Sequence, residues 1–136
     1  RAFGARLLLG GFYGVMVDGA VAAQAGEVVI LMHQINSFSD TDLQKVWDDV
    51  GIKKLVIVGA MTHMCVDAVT RAAADLGYEC AVAHDACATL DLEFDGVTVP
   101  AAQVQAAFMA GLGFAYANVA SAEALLAEIE SSRKTS

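Results

Sequence analysis

A single cysteine stands between an apolar run and a helix-like segment in the stretch 59-GAMTHMCVDAVTRAAADLGY-78. This residue, Cys65, falls in the first turn of the predicted helix, where backbone N–H groups are unpaired and the helix dipole is positive. Both features favour the thiolate, so we expect the pKa of Cys65 to lie below that of free cysteine. The same N–H groups suit an oxyanion formed when sulfur adds to an amide, ester or imine-like carbon. The alternative is that Cys65 only fills space, because free cysteine is often buried.

Composition limits the class of protein that carries this cysteine. The chain has 136 residues, of which 57% are hydrophobic and 18% charged, and this profile predicts one folded domain over residues 1–136. A formal net charge of -8 with only 8 Lys and Arg argues against a nucleic-acid partner. No apolar run is long enough to span a bilayer, so no membrane partner is expected.

The cysteines and the N-terminus indicate where the protein works. Cys65, Cys80 and Cys87 contain no C-x-x-C pair, so neither a disulfide framework nor a zinc site is predicted. Reduced thiols favour a cytoplasmic protein. The sequence starts at Arg1 without Met and shows no signal peptide, so we expect an N-terminally truncated domain.

Alternating apolar and helical segments predict the fold class. Two continuous apolar runs, at 28–32 and 54–60, are typical of strands buried on both faces of a parallel sheet, and shorter runs occur at 79–84, which is also expected to form a buried strand, and at 114–119. Helices are predicted at 40–51, 64–77, 100–113 and 121–132. This order gives β-α-β units with right-handed crossovers, and hence a three-layer α/β/α fold with a mainly parallel sheet and Rossmann-like topology. Ligands bind beyond the carboxyl ends of such strands, where Met32, His33 and residues 59–65 fall.

Two blocks of sequence resemble the isochorismatase-like cysteine hydrolases. GAMTHMCV at 59–66, followed by RAAADLGYECAVAHDACAT at 71–89, is similar to the nucleophile region, whose pattern is strand, G-x-x-T-x-x-C-V, helix, D-L-G-Y, strand, D-A. Upstream, GEVVI at 26–30 and NSFSDTDL at 36–43 are similar to the family segments G-E-x-V-I and N-A-F-x-G-T-x-L. The resemblance extends from about residue 20 to the C-terminus, with its elements in the family order.

The resemblance implies a hydrolase that acts on a small amide or other C–N bond, less often a vinyl ether, through a covalent intermediate on Cys65. It implies a cis peptide bond between Ala60 and Met61, and an oxyanion hole formed by the backbone N–H groups of Met61 and Cys65. The pocket candidates are Met32, His33, Asn36, Phe38, Thr62 and His63. No cofactor and no metal are expected, since no Asp and His pairing at metal-ligand spacing is visible. The expected partners are a small-molecule substrate and further copies of the chain, because a sheet without its first strand exposes an apolar edge.

Two members of the family triad have no counterpart in this sequence. The family lysine position, six residues before Phe38, holds Met32, and the family aspartate lies too far upstream to fall within the residues before Met32. Asp18 is predicted to be a surface-loop acid. His33 is a candidate substitute base, although a lone histidine at a strand end is more often structural, and His63 and His84 are weaker candidates.

Three interpretations follow from these matches and departures. The first is a catalytic hydrolase that uses Cys65. The second is a non-catalytic or fragmentary family member that serves as a binding or assembly module. The third is a flavodoxin-like ligand binder, for which 10-GGFYG-14 is a poor phosphate-binding loop. Asp85 is predicted either to shape the site from below or to cap a loop.

Overall fold

The computed structural model describes the backbone of residues 7–10 and the whole of residues 23–134. Asp18, which sequence analysis assigned to a surface loop, lies outside the described residues. The chain divides into two compact units, Arg1–Lys53 and Lys54–Ser136. The single domain expected over 1–136 stays a prediction.

The N-terminal unit contains two parallel strands and one helix. Strand β1 (Leu7–Gly10) pairs with β2 (Val28–Leu31), and helix α1 (Leu43–Asp49) follows. The helix is shorter than predicted because Asp40 adopts a positive φ of 55°, which an α-helix cannot contain. The hydroxyl of Thr41 instead accepts the Leu43 N–H at 3.3 Å and donates to the Ser37 carbonyl at 2.6 Å.

Strand β1 was missed by sequence analysis. Its three leucines form an apolar run too short to distinguish a strand from a helix by periodicity. The strand ends at Gly10 and the sequence continues with Gly11, so β1 does not place an aspartate at its carboxyl end.

The C-terminal unit is built on a parallel sheet with crossover helices. Its elements are β3 (Lys54–Ala60), α2 (Asp67–Asp75), β4 (Glu79–Ala88), the hairpin strands β5 (Leu92–Phe94) and β6 (Val97–Val99), α3 (Ala101–Ala115), β7 (Ala117–Ala120) and α4 (Ala122–Lys134). The sheet order is β3-β4-β7, with both pairings parallel, whereas β5 and β6 are antiparallel. This arrangement confirms the predicted α/β class and its mainly parallel sheet.

The core of this unit lies between the sheet and α3. Val66, Val82, Met109 and Leu112 form a buried cluster. Half-buried side chains from β3, β4, the end of α3 and β7 pack against the cluster, among them Ile57, Cys87, Tyr116 and Val119. The cluster includes Val66, one residue after Cys65, so the core fixes the chain directly beside the candidate nucleophile.

The ladder between β3 and β4 is irregular near its carboxyl end. Ile57 pairs with Val82, and pairing resumes only at Gly59 with Cys87. Val58 alone separates the paired residues in β3, whereas residues 83–86 separate them in β4. The extra residues of β4 therefore bend out of this ladder and leave backbone groups that need other partners.

Burial of both faces was predicted for the runs at 28–32 and 54–60, and this prediction is wrong for both β2 and β3. Val56 and Val58 of β3 are 49% and 55% exposed, and Val29 and Leu31 of β2 are 58% and 65% exposed. β3 is an edge strand of the three-stranded sheet of the C-terminal unit, and α4 packs against β4, the central strand of that sheet. Cys80, Val82 and Ala83 of β4 are buried, as predicted.

Two elements begin at residues other than those predicted from the sequence. The strand expected at 114–119 is β7 at Ala117–Ala120, because Phe114 and Ala115 continue α3 and the Tyr116 N–H still donates to the Leu112 carbonyl at 2.9 Å. The helix expected from residue 64 begins as a different helical form, described below. Among the described residues, none of the helices is both long and apolar enough to cross a membrane.

Candidate active site

The candidate nucleophile lies in a π-helical turn directly after β3. The peptide bond between Ala60 and Met61 is cis, the geometry that the family resemblance implies. The π-helical turn spans Thr62–Val66 and continues into α2. The Met61 carbonyl accepts the N–H of Met64 at 3.0 Å and that of Val66 at 3.3 Å, which closes the turn on both sides of Cys65. The helical turn expected at Cys65 is therefore present, but it is wider than an α-helical turn.

The Cys65 thiol is half-buried, and burial dominates its titration. Removal of water from around the sulfur raises the pKa of Cys65 above its ordinary value, because the charged thiolate loses its solvation. The Cys65 backbone N–H donates to the sulfur and lowers the pKa, but this effect is the smaller one. The direction of the shift is therefore opposite to the expected depression of the Cys65 pKa, because desolvation outweighs the backbone hydrogen bond to the sulfur.

Thr62, the first residue of the turn, makes the strongest polar contacts of the site. Its side chain is 0% exposed, and its hydroxyl lies 2.6 Å from Gln105 Oε1 and 3.2 Å from the Ala88 carbonyl oxygen. Gln105 Nε2 in turn donates to the His84 carbonyl at 2.9 Å. The turn after β3 is thus joined by hydrogen bonds to both α3 and the carboxyl end of β4.

His63, the next residue, faces away toward β4 and α3. Its Nδ1 lies 2.7 Å from the Thr89 hydroxyl, and its ring meets Phe108 edge to face with centroids 6.1 Å apart. These contacts occupy one ring nitrogen and one ring face, and the place of His63 in a substrate pocket stays a prediction.

Met32, at the family lysine position, is packed as a core residue of the N-terminal unit. It is 4% exposed, and the buried Ser37 hydroxyl donates to its sulfur at 3.3 Å. His33, the next residue, is exposed. The burial of Met32 would desolvate an ammonium group at this position.

Asn36 and Phe38 shape the loop between β2 and α1. The Asn36 side-chain oxygen accepts the Phe38 N–H at 3.1 Å, which forms a local turn. Phe38 packs edge to face on Trp47, with ring centroids 5.4 Å apart. Their proposed place in a substrate pocket remains a prediction, as does that of Met32 and His33.

Asp85, which sequence analysis left between two roles, caps a helix. Its carboxylate accepts the Ala122 N–H at the start of α4, at 2.8 Å. Asp91 does the same for the Ala101 N–H of α3, at 2.7 Å. Both carboxylates stabilise helix N-termini by satisfying unpaired N–H groups. The His84 side chain is exposed, and only its carbonyl takes part in the site network.

Two residues of the site were missed by sequence reasoning, Gln105 and Thr89. Gln105 is one of two glutamines in an otherwise apolar helix α3, and nothing in the sequence distinguishes it from Gln103. Thr89 follows β4 and carries no distinguishing pattern in the sequence. Within residues 23–134, no group of three or more His, Cys, Asp and Glu side chains is arranged to hold a metal ion.

The parallel sheet, its crossover helices and the turn after β3 define an α/β protein with a cysteine in the helical turn that follows β3. A family model, the isochorismatase domain, matches residues 2–111. The chain belongs to the isochorismatase family, whose members include hydrolases.

Several curated relatives match parts of the chain. It is 45% identical over 113 residues to an uncharacterized isochorismatase family protein of Bacillus subtilis, YddQ, covering 83% of this chain and 63% of that protein. It is 36% identical over 90 residues to streptothricin hydrolase of Streptomyces noursei, covering 64% of this chain and 33% of that enzyme. It is 31% identical over 64 residues to nicotinamidase 3 of Arabidopsis thaliana, covering 47% of this chain and 32% of that enzyme. The chain thus spans less than two thirds of the length of these relatives.

Solved structures share the fold. An Oleispira antarctica protein assigned as an isochorismatase hydrolase is 80% identical with a TM-score of 0.77, covering 79% of this chain and 57% of that one. An isochorismatase from Pseudomonas putida is 29% identical with a TM-score of 0.81, and the match covers 85% of this chain and 65% of that one. A cysteine hydrolase from Pseudomonas syringae is 25% identical with a TM-score of 0.82, and the match covers 86% of this chain and 55% of that one. These likenesses confirm the predicted three-layer α/β/α fold.

The raised pKa of Cys65 predicts a specific pH dependence of its alkylation. Iodoacetamide reacts with the thiolate, so at neutral pH Cys65 should react more slowly than free cysteine and should accelerate as the pH rises past the free thiol pKa of about 8.5. Peptide mass spectrometry of the native protein gives the rate for each cysteine. Cys80, which is buried, serves as the internal control and should react more slowly than Cys65 throughout. A Cys65 rate that already reaches its plateau below pH 8 would contradict this account.

Proposed function

We propose that this chain carries the nucleophile of a cysteine hydrolase that cleaves the C–N bond of a small amide through an acyl intermediate on Cys65. The observation that carries the proposal is the position of Cys65 in the helical turn directly after β3, within the block GAMTHMCV. The similarity to a nicotinamidase supports a carboxamide as the substrate class, and the cysteine hydrolase neighbour supports the nucleophile. A vinyl ether is the less favoured substrate.

The proposed reaction has two steps. The thiol first loses its proton to solvent base, and the thiolate adds to the amide carbon, whose double-bond electrons move to the oxygen. The backbone N–H groups of Met61 and Cys65 would stabilise this oxyanion. The C–N bond then breaks, the amine leaves with a proton, and a thioester remains on Cys65. Water adds to the thioester, which releases the carboxylic acid and restores the thiol.

The alternative proposal is a non-catalytic family member, and two observations favour it. Met32 is buried where the family lysine is expected, and burial raises the pKa of Cys65 so that little thiolate forms at neutral pH. Under this proposal the fold serves as a binding or assembly module, and Cys65 remains a protonated thiol.

Replacement of Cys65 separates the two proposals. Cys65→Ala should abolish release of ammonia from nicotinamide and other small carboxamides, and Cys65→Ser should leave little activity because a hydroxyl group is not ionised by a helix terminus alone. Cys80→Ala is the control, since the Cys80 sulfur lies at the start of β4 against the carbonyls of Thr70 and Tyr78 and not beside the turn, and it should retain turnover. Hydrolysis that survives Cys65→Ala would refute the nucleophile assignment.

Replacement of Met32 extends the same test to the missing lysine. Met32→Lys should raise the rate if a carboxylate is supplied upstream and leave it unchanged if the whole triad is lost. Met32→Leu is the control for packing, because it conserves volume at this buried position. A chain without activity both as found and with Met32→Lys would favour the non-catalytic module.

We also propose that the chain forms a homo-oligomer. The β5–β6 hairpin has one apolar face, formed by the cross-strand pairs Leu92 with Val99 and Phe94 with Val97. Phe94 is 82% exposed and Val97 is 63% exposed, and a two-stranded hairpin is only marginally stable unless such a face is covered.

We further propose a cytoplasmic location for the protein. The chain has three free cysteines, which fits a compartment where thiols stay reduced.

Sedimentation equilibrium tests the oligomer directly. At micromolar concentration the mass should be a multiple of 14.2 kDa, and Phe94→Glu should shift it toward the single-chain value. Thr98→Glu, on the opposite face of the same hairpin, is the control and should leave the mass unchanged. A single-chain mass for the unaltered protein would overturn the proposal.

A further inference from the structure

We infer that Gln105 is a positioning residue that holds the Cys65 turn in place through the hydroxyl of Thr62. The inference rests on the proposed function, since it assigns a purpose to the turn that carries the nucleophile. Gln105 touches neither Cys65 nor a reacting atom in the proposed mechanism, and it acts through Thr62, the first residue of the turn.

The orientation of the Gln105 amide follows from its partners. The His84 carbonyl can only accept a hydrogen bond, so the amide nitrogen must face it at 2.9 Å. The amide oxygen then faces Thr62 at 2.6 Å and accepts its hydroxyl proton. Glutamine supplies one acceptor and one donor at the same time, which neither an ionised glutamate nor an aliphatic side chain can do.

The irregular ladder explains why an outside donor is needed. The β4–β7 register ends at Ala83 with Ala120, and the β3–β4 register resumes at Cys87, so His84 lies between the two ladders. Its carbonyl takes its hydrogen bond from α3 instead. The single amide of Gln105 therefore ties the bend in β4 to the start of the turn after β3.

The packing of α3 supports the same role. Phe108 lies one helical turn after Gln105 and contacts the ring of His63. The two α3 side chains therefore contact consecutive residues, Thr62 and His63, of the turn that holds Cys65. Gln103 lies on the same helix but is exposed, which makes it a matched control. Replacement of Gln103 by leucine makes the same chemical change in α3 but leaves the hydrogen bond between Gln105 and Thr62 intact.

Thiol reactivity tests the inference without a substrate. In Gln105→Leu, Thr62 keeps only the 3.2 Å contact to Ala88, and the turn should open more often. Cys65 alkylation by iodoacetamide should then speed up about three- to tenfold, the factor that corresponds to the net contribution of one hydrogen bond, and its pH midpoint should move toward that of free cysteine. Gln103→Leu should leave both quantities at the values of the unaltered protein. Cys80, buried in β4, should keep its slow rate in both variants.

Two results would overturn the inference. One is a Cys65 rate and pH midpoint in Gln105→Leu equal to those in Gln103→Leu. The other is an equal acceleration of Cys80, which would indicate general loosening of the fold. If Gln105→Leu does not fold, Gln105→Glu provides the same test, because the ionised carboxylate still accepts from Thr62 but has no donor for His84.

Turnover separates this inference from the proposed function. In Gln105→Leu, kcat for an amide should fall while the Cys65 thiol becomes more reactive, because a more accessible sulfur is less well placed relative to the oxyanion donors. If Cys65→Ala retains hydrolysis, the proposed function is refuted. The alkylation rates of the Gln105 and Gln103 variants still test the positioning role of Gln105, because they do not depend on turnover.

Discussion

The hydroxyl of Thr62 is the constraint on which the nucleophile turn depends. It is completely buried, and a buried hydroxyl without a partner costs about 1–3 kcal/mol. Its partners come from two different elements, Gln105 of α3 and the carbonyl of Ala88 at the end of β4. The turn that holds Cys65 can therefore keep this geometry only when the sheet and α3 are both in place. The local conformation is thus a consequence of tertiary structure.

The same packing that fixes the turn opposes ionisation of the thiol. Val66 anchors the turn in the core cluster, and the neighbouring Cys65 is half-buried as a result. Burial raises the pKa of Cys65 more than its own backbone N–H lowers it. A nucleophile in such a site needs a base or a cation to offset desolvation. The family resemblance implies a lysine where this chain has the buried Met32, so the proposed activity depends on how the thiol is activated.

The nucleophile turn and most elements could be predicted from the sequence because they depend on local patterns. β3 was predicted with its exact bounds from one apolar run, and Cys65 was identified from its place between that run and a helix. Both signals need only the identities of neighbouring residues. The capping of α4 by Asp85 was not predicted, because its partner Ala122 lies in a distant element.

The remaining features depend on contacts between distant residues. The bend in β4 cannot be read from 79-ECAVAHDACA-88, and without it nothing shows that the His84 carbonyl needs Gln105. The exposure of Val56 and Val58 depends on which strand lies at the sheet edge. The boundary between α3 and β7 was misjudged because 114-FAYANV-119 is apolar enough for either form. The raised pKa of Cys65 likewise reflects burial that only the folded chain creates.

The most direct test of the account is to trap the intermediate on Cys65. The protein is mixed with an activated amide at alkaline pH, quenched in acid during turnover, and analysed by intact and peptide mass spectrometry. The account predicts a burst of about one amine per chain, with the acyl mass on the peptide that contains Cys65. Product formation without a burst or adduct, or with the acyl group on another residue, would contradict it.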